Sequence, residues 1–294
     1  MIRVIYHGKK NRERIFTTFD EIIGYQYITT LNCEFMNLTE LPDLPPYLKI
    51  LYCSNNNLTT LPELPSTLEI LICTSNNLTS LPKLPNLLYH IKCDDNNLTS
   101  LPDLPNSLTY FNCHHNNISS LPNLPNNIIQ FYCGENQLKS LHNLHNFPNS
   151  LESFSCVNNQ LTSLPPLPNS LVNFWCCNNN LTSLPDFPNS LKKFNCSGNQ
   201  LTLLPDLPNS LLDLNCSGNQ LCSLPDLPNS LETFNCAGNK LTSLPNLPKF
   251  LDTLICSKNK LTSLPEFNNR NIYLICKNNN FIKSHNYLKN KLFY

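Results

Sequence analysis

Leu211 to Ser230 read LLDLNCSGNQLCSLPDLPNS, and Leu231 to Phe250 read LETFNCAGNKLTSLPNLPKF in the same register. Copies spaced about twenty residues apart run from Ile28 to about Asn280, giving about thirteen coils. This period constrains the fold more than any other feature of the chain. One copy is too short to enclose an interior of its own, and its buried side chains do not offset the entropy of ordering it. The copies must therefore stack, each closing the core of the one before, as in a solenoid.

Within one copy the skeleton is L-x-x-L-x-C-x-x-N-x-L-x-x-L-P-x-L-P-x-x. Leu214 and Cys216 stand two apart, which is strand spacing, so Asn215 and Ser217 face the other way. After Asn219 the chain is expected to turn, with Leu221, Leu224 and Leu227 pointing back inward. Pro225 and Pro228 fix their own φ and push the residues before them out of the helical region. The return leg is therefore expected to be extended or polyproline-II-like, with almost no helix.

This skeleton resembles the leucine-rich repeat in its short bacterial-type form, L-x-x-L-x-V/C-x-x-N-x-L-x-x-L-P-x-L-P. Such repeats occur in secreted effectors of the YopM and IpaH kind, and similar ones in giant, mimivirus-like DNA viruses. The resemblance covers roughly nine-tenths of the chain. It implies a right-handed leucine-rich-repeat solenoid of the α/β-horseshoe class, with a parallel β-sheet on the concave face and extended convex legs. It also implies a protein-binding module rather than an enzyme. The ubiquitin-ligase domain that ends some effectors of this family has no room here, so that activity is not carried over. No nucleophile–base pair, phosphate loop or metal spacing is visible either.

Outside the repeat the sequence is less regular. Residues 1–27 are expected to form an N-terminal cap: Ile2, Val4 and Ile5 as a short strand, then a polar, basic loop from His7 to Arg14. Thr18-Phe19-Asp20-Glu21 fits a capping box opening a short helix through Ile23. Residues 28–280 are the solenoid, with a coil at 134–156 that is about three residues too long. His142 and His145 fill the proline slots of that coil and are read as solvated substitutes rather than a metal pair. Residues 281–294, FIKSHNYLKNKLFY, read as a C-terminal cap.

Two columns mark the interior. Asparagine recurs from Asn56 to Asn279, once per coil, with Met36 in its place in the first coil. Its amide both donates and accepts, so it can satisfy turn backbone in its own and the adjacent coil; Asp could not supply the donors. Sequons such as Asn57-Leu58-Thr59 arise only because Thr follows the core Leu, and glycosylation is not expected. Of the 15 cysteines, all but Cys177 and Cys222 fall in one column from Cys33 to Cys276. Their spacing matches neither a zinc site nor a secreted disulfide framework. Thiols facing a leucine core act as small hydrophobes, and neighbours about 4.8 Å apart with parallel Cβ vectors make poor disulfides. So many free thiols predict a reducing, intracellular location, the host cytoplasm for a viral or delivered protein.

Lys+Arg and Asp+Glu both number 20, so the net charge is zero and neither nucleic acid nor an acidic membrane is expected as a partner. No apolar run has the length of a membrane span, and Met1-Ile2-Arg3-Val4-Ile5 leads into His7, Lys9 and Lys10 rather than into a signal-peptide core. No cofactor or metal is expected, and the chain is read as a monomer. The P-x-x-P segments, such as Pro42-Asp43-Leu44-Pro45, are not read as SH3 ligands, because the leucines between them belong to the core.

Binding is expected on the outward strand positions. The candidate partner-binding residues are Ile50, Tyr52, Ile70, Ile72, His90, Lys92, Tyr110, Tyr132 and Trp175, large side chains that no core demands. Asn195, Asn215 and Asn235 hold the equivalent positions of later coils, which look bland beside Gly198, Gly218 and Gly238. Asp94, Asp95, His114, His115 and Glu135 lie just beyond the strands and are read as a hydrated rim rather than a metal or catalytic site. The leading function is a protein–protein interaction scaffold; the competing one is a structural repeat protein with no specific partner.

Overall fold

The computed structural model describes residues 1–6, 13–141, 147–266 and 272–281. The chain forms two compact units, Met1–Lys139 and Ser140–Tyr294. In each, one short strand per coil pairs in parallel with the strand of the next coil. His142, His145, Asn268, Asn271 and the tail beyond Phe281 lie outside the described residues, as do Lys9, Lys10 and Arg12.

The first unit opens with strands β1 (Ile2–Tyr6) and β2 (Glu13–Phe16), which pair antiparallel with Ile2 opposite Phe16. A 3-10 turn over Tyr25–Tyr27 leads into β3 (Ile28–Asn32), the strand of the first coil. β1 also pairs antiparallel with β3, Val4 opposite Leu31, so the backbone groups of the first coil's leading edge are hydrogen-bonded. The sequence reading placed a loop through Arg14, and Glu13–Phe16 is instead a strand. It also placed a helix at Thr18–Ile23, where the chain makes only bends and turns. Glu21 does bond a threonine, but Thr17: its carboxylate accepts from the Thr17 N–H at 2.9 Å and hydroxyl at 2.6 Å. Four residues separate the pair, the wrong offset for a capping box, and the bonds close a turn rather than start a helix.

The coils then repeat as β4 (Ile50–Tyr52), β5 (Ile70–Ile72), β6 (His90–Lys92), β7 (Tyr110–Asn112) and β8 (Gln130–Tyr132). The register advances by twenty residues at each step, so Ile50, Ile70, His90, Tyr110 and Gln130 form one column. The second unit continues with β9 (Ser153–Ser155), β10 (Asn173–Trp175), β11 (Lys193–Asn195), β12 (Asp213–Asn215), β13 (Thr233–Asn235), β14 (Thr253–Ile255) and β15 (Tyr273–Ile275). Within it the register is equally strict, as in Asn173, Lys193 and Asp213.

The middle residue of each strand and the column cysteine face the core. Phe111 and Phe131 stack at 5.7 Å in the first unit. In the second, Phe154 and Phe174 stack at 5.6 Å, as do Phe174 and Phe194. All five rings are buried, so stacking adds to a large apolar burial. The column cysteines from Cys33 to Cys276 are buried and free, while Cys177 is half-buried and Cys222 exposed. Burial drives the column thiol pKa values up, to about 12 at Cys33 and Cys256.

The asparagine column works as the sequence suggests. Asn96 donates through Nδ2 to the carbonyls of Cys73 and Cys93 at 3.0 and 3.1 Å, and its Oδ1 accepts from the Leu78 N–H at 3.0 Å. In the first coil, where Met36 replaces Asn, Asn56 alone accepts from both Met36 N–H and Leu38 N–H and donates to the Cys33 carbonyl. The next coil thus supplies what the first one lacks.

Among the described residues the return legs carry no regular element and end in a turn, with the Leu68 N–H donating to the Pro65 carbonyl at 3.0 Å and the same bond recurring in later coils. Two further columns went unrecognised in the sequence. Thr67, Ser107, Ser170, Ser190, Ser210 and Ser230 each donate a hydroxyl to a leucine carbonyl of the preceding coil, at 2.7–2.8 Å. Leu87 and Phe250 hold the same position without a hydroxyl, Tyr47 carries its hydroxyl at the far end of a ring, and all three are exposed. The residue before each ladder asparagine has positive φ, from 50° at Glu135 to 66° at Gly238. At Gly198 a Cβ would lie 2.2 Å from Asn178 Oδ1, so a larger residue there would have to turn that amide aside.

Candidate functional site

Residues one before and one after the buried centre of each strand face outward, because side chains alternate along a strand. In the first unit this places Ile50, Ile70, His90, Tyr110 and Gln130 in one column and Tyr52, Ile72, Lys92, Asn112 and Tyr132 in the other. All are half-buried by their neighbours. Eight of the nine sequence-selected residues lie here. Trp175 belongs to the second unit, half-buried on β10 between Ser155 and Asn195.

The centre of the first unit's face is an aromatic cluster. The His90 and Tyr110 rings stack with centroids 4.2 Å apart and planes 9° from parallel. Tyr132 packs on Tyr110 at 5.7 Å with tilted planes, and its hydroxyl bonds Gln130 Oε1 at 3.2 Å. Lys92 Nζ lies 5.6 Å from the Tyr110 centroid, within cation–π range. Burial, then the Lys92 charge, holds the His90 pKa below its ordinary value. Burial pushes the Tyr110 phenol up, helped by Tyr132 and Asp94. Ile50, Ile70, Tyr52 and Ile72 extend the cluster as an apolar patch.

Beyond the strand ends the rim groups pair across coils. Asp94 accepts from the Thr74 hydroxyl at 3.0 Å, His115 Nδ1 bonds Asp95 Oδ1, and His114 Nε2 lies 3.5 Å from Glu135 Oε1. The Asp95 bond raises the His115 pKa. These are pairs on an open surface, and among the described residues no three metal-ligating groups converge.

The later coils differ. Asn195 and Asn215 accept through Oδ1 from both the N–H and the hydroxyl of Ser197 and Ser217, and Asn235 accepts from the Ala237 N–H. Each closes an Asx turn at the strand end, so these amides are already engaged. The other outward column holds Lys193 and Asp213, where burial raises the carboxyl pKa and Lys193 opposes it. The bland stretch is also short. Ile255, Tyr273 and Ile275 return apolar groups to the outward positions, with Tyr273 exposed. Alternation from the column leucines would have found them, although Asn271 stands where the other coils have their first leucine and Asn268 where they have a proline.

Among the described residues no helix is long and apolar enough to cross a membrane. No protein-family model matches the chain, and no curated protein does. Solved structures do match. YopM from Yersinia pestis, a leucine-rich effector protein, is 36% identical with a TM-score of 0.70, over 86% of this chain and 84% of that one. YopM from Yersinia enterocolitica is 33% identical with a TM-score of 0.68, over 85% of this chain, which spans only 65% of that one. The plant peptide hormone receptor RGFR1, solved in complex with RGF2, shares the fold at 18% identity and a TM-score of 0.58, over 86% of this chain and 52% of its own.

Proposed function

Because the chain belongs to the leucine-rich repeat family, in the short-repeat form of YopM, we propose that it is a non-catalytic scaffold that binds a partner protein on its concave strand face. If the chain acts inside another organism's cell, that partner is a host protein. Leucine-rich repeat folds commonly bind proteins, and RGFR1 is in complex with RGF2. One observation carries the reading for this chain. From Ile50 to Tyr132 the outward columns hold aliphatic and aromatic side chains that contribute nothing to the buried core. Tyr and Trp of this kind supply most of the energy in interfaces. In the same reading residues 1–27 and 281–294 cap a solenoid of residues 28–280, and the protein works as a monomer in a reducing compartment. The free, buried thiol column is consistent with such a compartment.

The test is affinity capture from cell lysate with the native chain and two variants that leave the core alone. Ile70→Asp together with Tyr110→Ala, shown to be folded by circular dichroism, should lose the specifically captured protein, with Tyr52→Ala replacing Ile70→Asp if the double variant unfolds. Lys83→Glu, on the exposed return leg, should keep it. Capture that survives the first variant and fails with the second would place binding on the convex leg and refute the proposal.

A further inference from the structure

Resting on the strand-face reading above, we propose that the partner segment is an extended, largely apolar peptide with a single carboxylate, which docks on the Lys92 ammonium. Lys92 is the one lysine, arginine, aspartate or glutamate among the outward strand positions from Ile50 to Tyr132, and burial, then the Lys92 charge, lowers the pKa of the neighbouring His90. Lys92 is half-buried and lies over the Tyr110 ring, and among the described residues no carboxylate pairs with it. The nearby Lys49, by contrast, is bound to Glu69 at 2.7 Å. An ammonium held beside an aromatic ring with no carboxylate partner can take one from a ligand through a charge-assisted bond.

The surroundings limit the partner to one negative charge. Asp94, Asp95 and Glu135 sit just beyond the strand ends, engaged by Thr74, His115 and His114 respectively. They repel a polyanion lying along that rim, which excludes nucleic acid and strongly acidic tails. On the other side of Lys92 the columns are Ile70, Ile72, Ile50 and Tyr52, which favour aliphatic or aromatic side chains. An extended peptide crossing strands about 4.8 Å apart presents every second side chain, about 6.6 Å apart, to this surface. The carboxylate and the apolar anchors therefore belong to alternate residues of one segment.

The experiment pans a displayed library of random linear peptides against the full chain, then against Lys92→Gln and Ile70→Asp, with thermal unfolding confirming that each variant is folded. Tyr52→Ala replaces Ile70→Asp if the latter unfolds. Enriched peptides should share one Asp or Glu beside alternating apolar residues. A synthetic peptide from that set should bind the native chain at least about tenfold more tightly than its Glu→Gln or Asp→Asn form, and this difference should vanish with Lys92→Gln. Peptides without an acidic residue that bind native and Lys92→Gln alike, yet fail on Ile70→Asp, would overturn the carboxylate inference and leave the strand-face reading standing. Peptides that bind Ile70→Asp as well as native, or no enrichment over that variant, would overturn both.

Discussion

The coils from β4 to β8 and those from β11 to β13 are built on the same kind of core and the same asparagine bonding, yet they use the outward strand positions in opposite ways. In the first group those positions hold isoleucines, a His90–Tyr110 stack and an unpaired lysine. In the second, Asn195, Asn215 and Asn235 turn their carbonyls back onto the chain two residues ahead. An Asx turn terminates a short strand locally and leaves little for a ligand. Where the asparagine is replaced by a larger group, the turn loses that support and the surface gains reach. Asn112 in β7 shows the boundary: it still accepts from the His114 N–H at 3.1 Å while its column neighbours are Lys92 and Tyr132. A solenoid can thus vary its surface without touching its core, because the two alternate along each strand.

The comparison holds only if the interior does not distinguish the two groups, and the largest expected effect tests that. Thiol pKa values are raised in both units by burial, at Cys93 as at Cys216. A raised folded pKa means that the folded state holds protons the unfolded state releases. Stability is then full below the unfolded thiol pKa, about 8.5, and falls as pH rises toward the folded values, about 12 at Cys33 and Cys256. Circular dichroism across this range should show both units unfolding in alkali. Loss of one unit alone would mean that the thiol columns are not equivalent.

Truncation of the ring stacks comes next. Phe131→Ala and Phe174→Ala should each cost about 3–5 kcal/mol in denaturant unfolding. The asparagine column is a finer probe. Asn96→Asp and Asn199→Asp each remove buried donors, worth about 1–3 kcal/mol, while Gln200→Glu changes only an exposed amide and should be nearly neutral. Equal melting temperatures for Asn199→Asp and Gln200→Glu would refute the ladder. The smallest effects sharpen the surface contrast itself. Asn215→Ala should cost about 0.5–1.5 kcal/mol through its Asx bonds, and Tyr110→Ala a similar amount through its stacking on His90. Their effects on binding should differ where their effects on stability do not.

Much of this was legible in the sequence because a twenty-residue period fixes what is inside. The buried leucines, the free cysteine column and the bonds of Asn56 through Asn279 followed from spacing and from amide chemistry. The hydroxyl column did not, because Ser210 reads as turn filler and its acceptor, the Leu191 carbonyl, lies in another coil. The positive-φ column was hidden by its variety, since Ser75, Asp95, His115 and Glu135 share with Gly198 a conformation that only glycine advertises. Strand β2 was missed because Glu13 and Arg14 look like loop residues, and their pairing with β1 lies outside the repeat, where no period guides a reading. The nine candidate binding residues were readable as positions, and the packing of His90, Lys92 and Tyr132 around Tyr110 needed side-chain geometry.

The most direct test of the contrast is the affinity of one captured partner for two matched double variants. Tyr110→Ala with Tyr132→Ala should weaken binding by about thirtyfold or more, the equivalent of about 2 kcal/mol. Asn195→Ala with Asn215→Ala should change it by less than about threefold. The reverse order, or equal losses, would contradict the account.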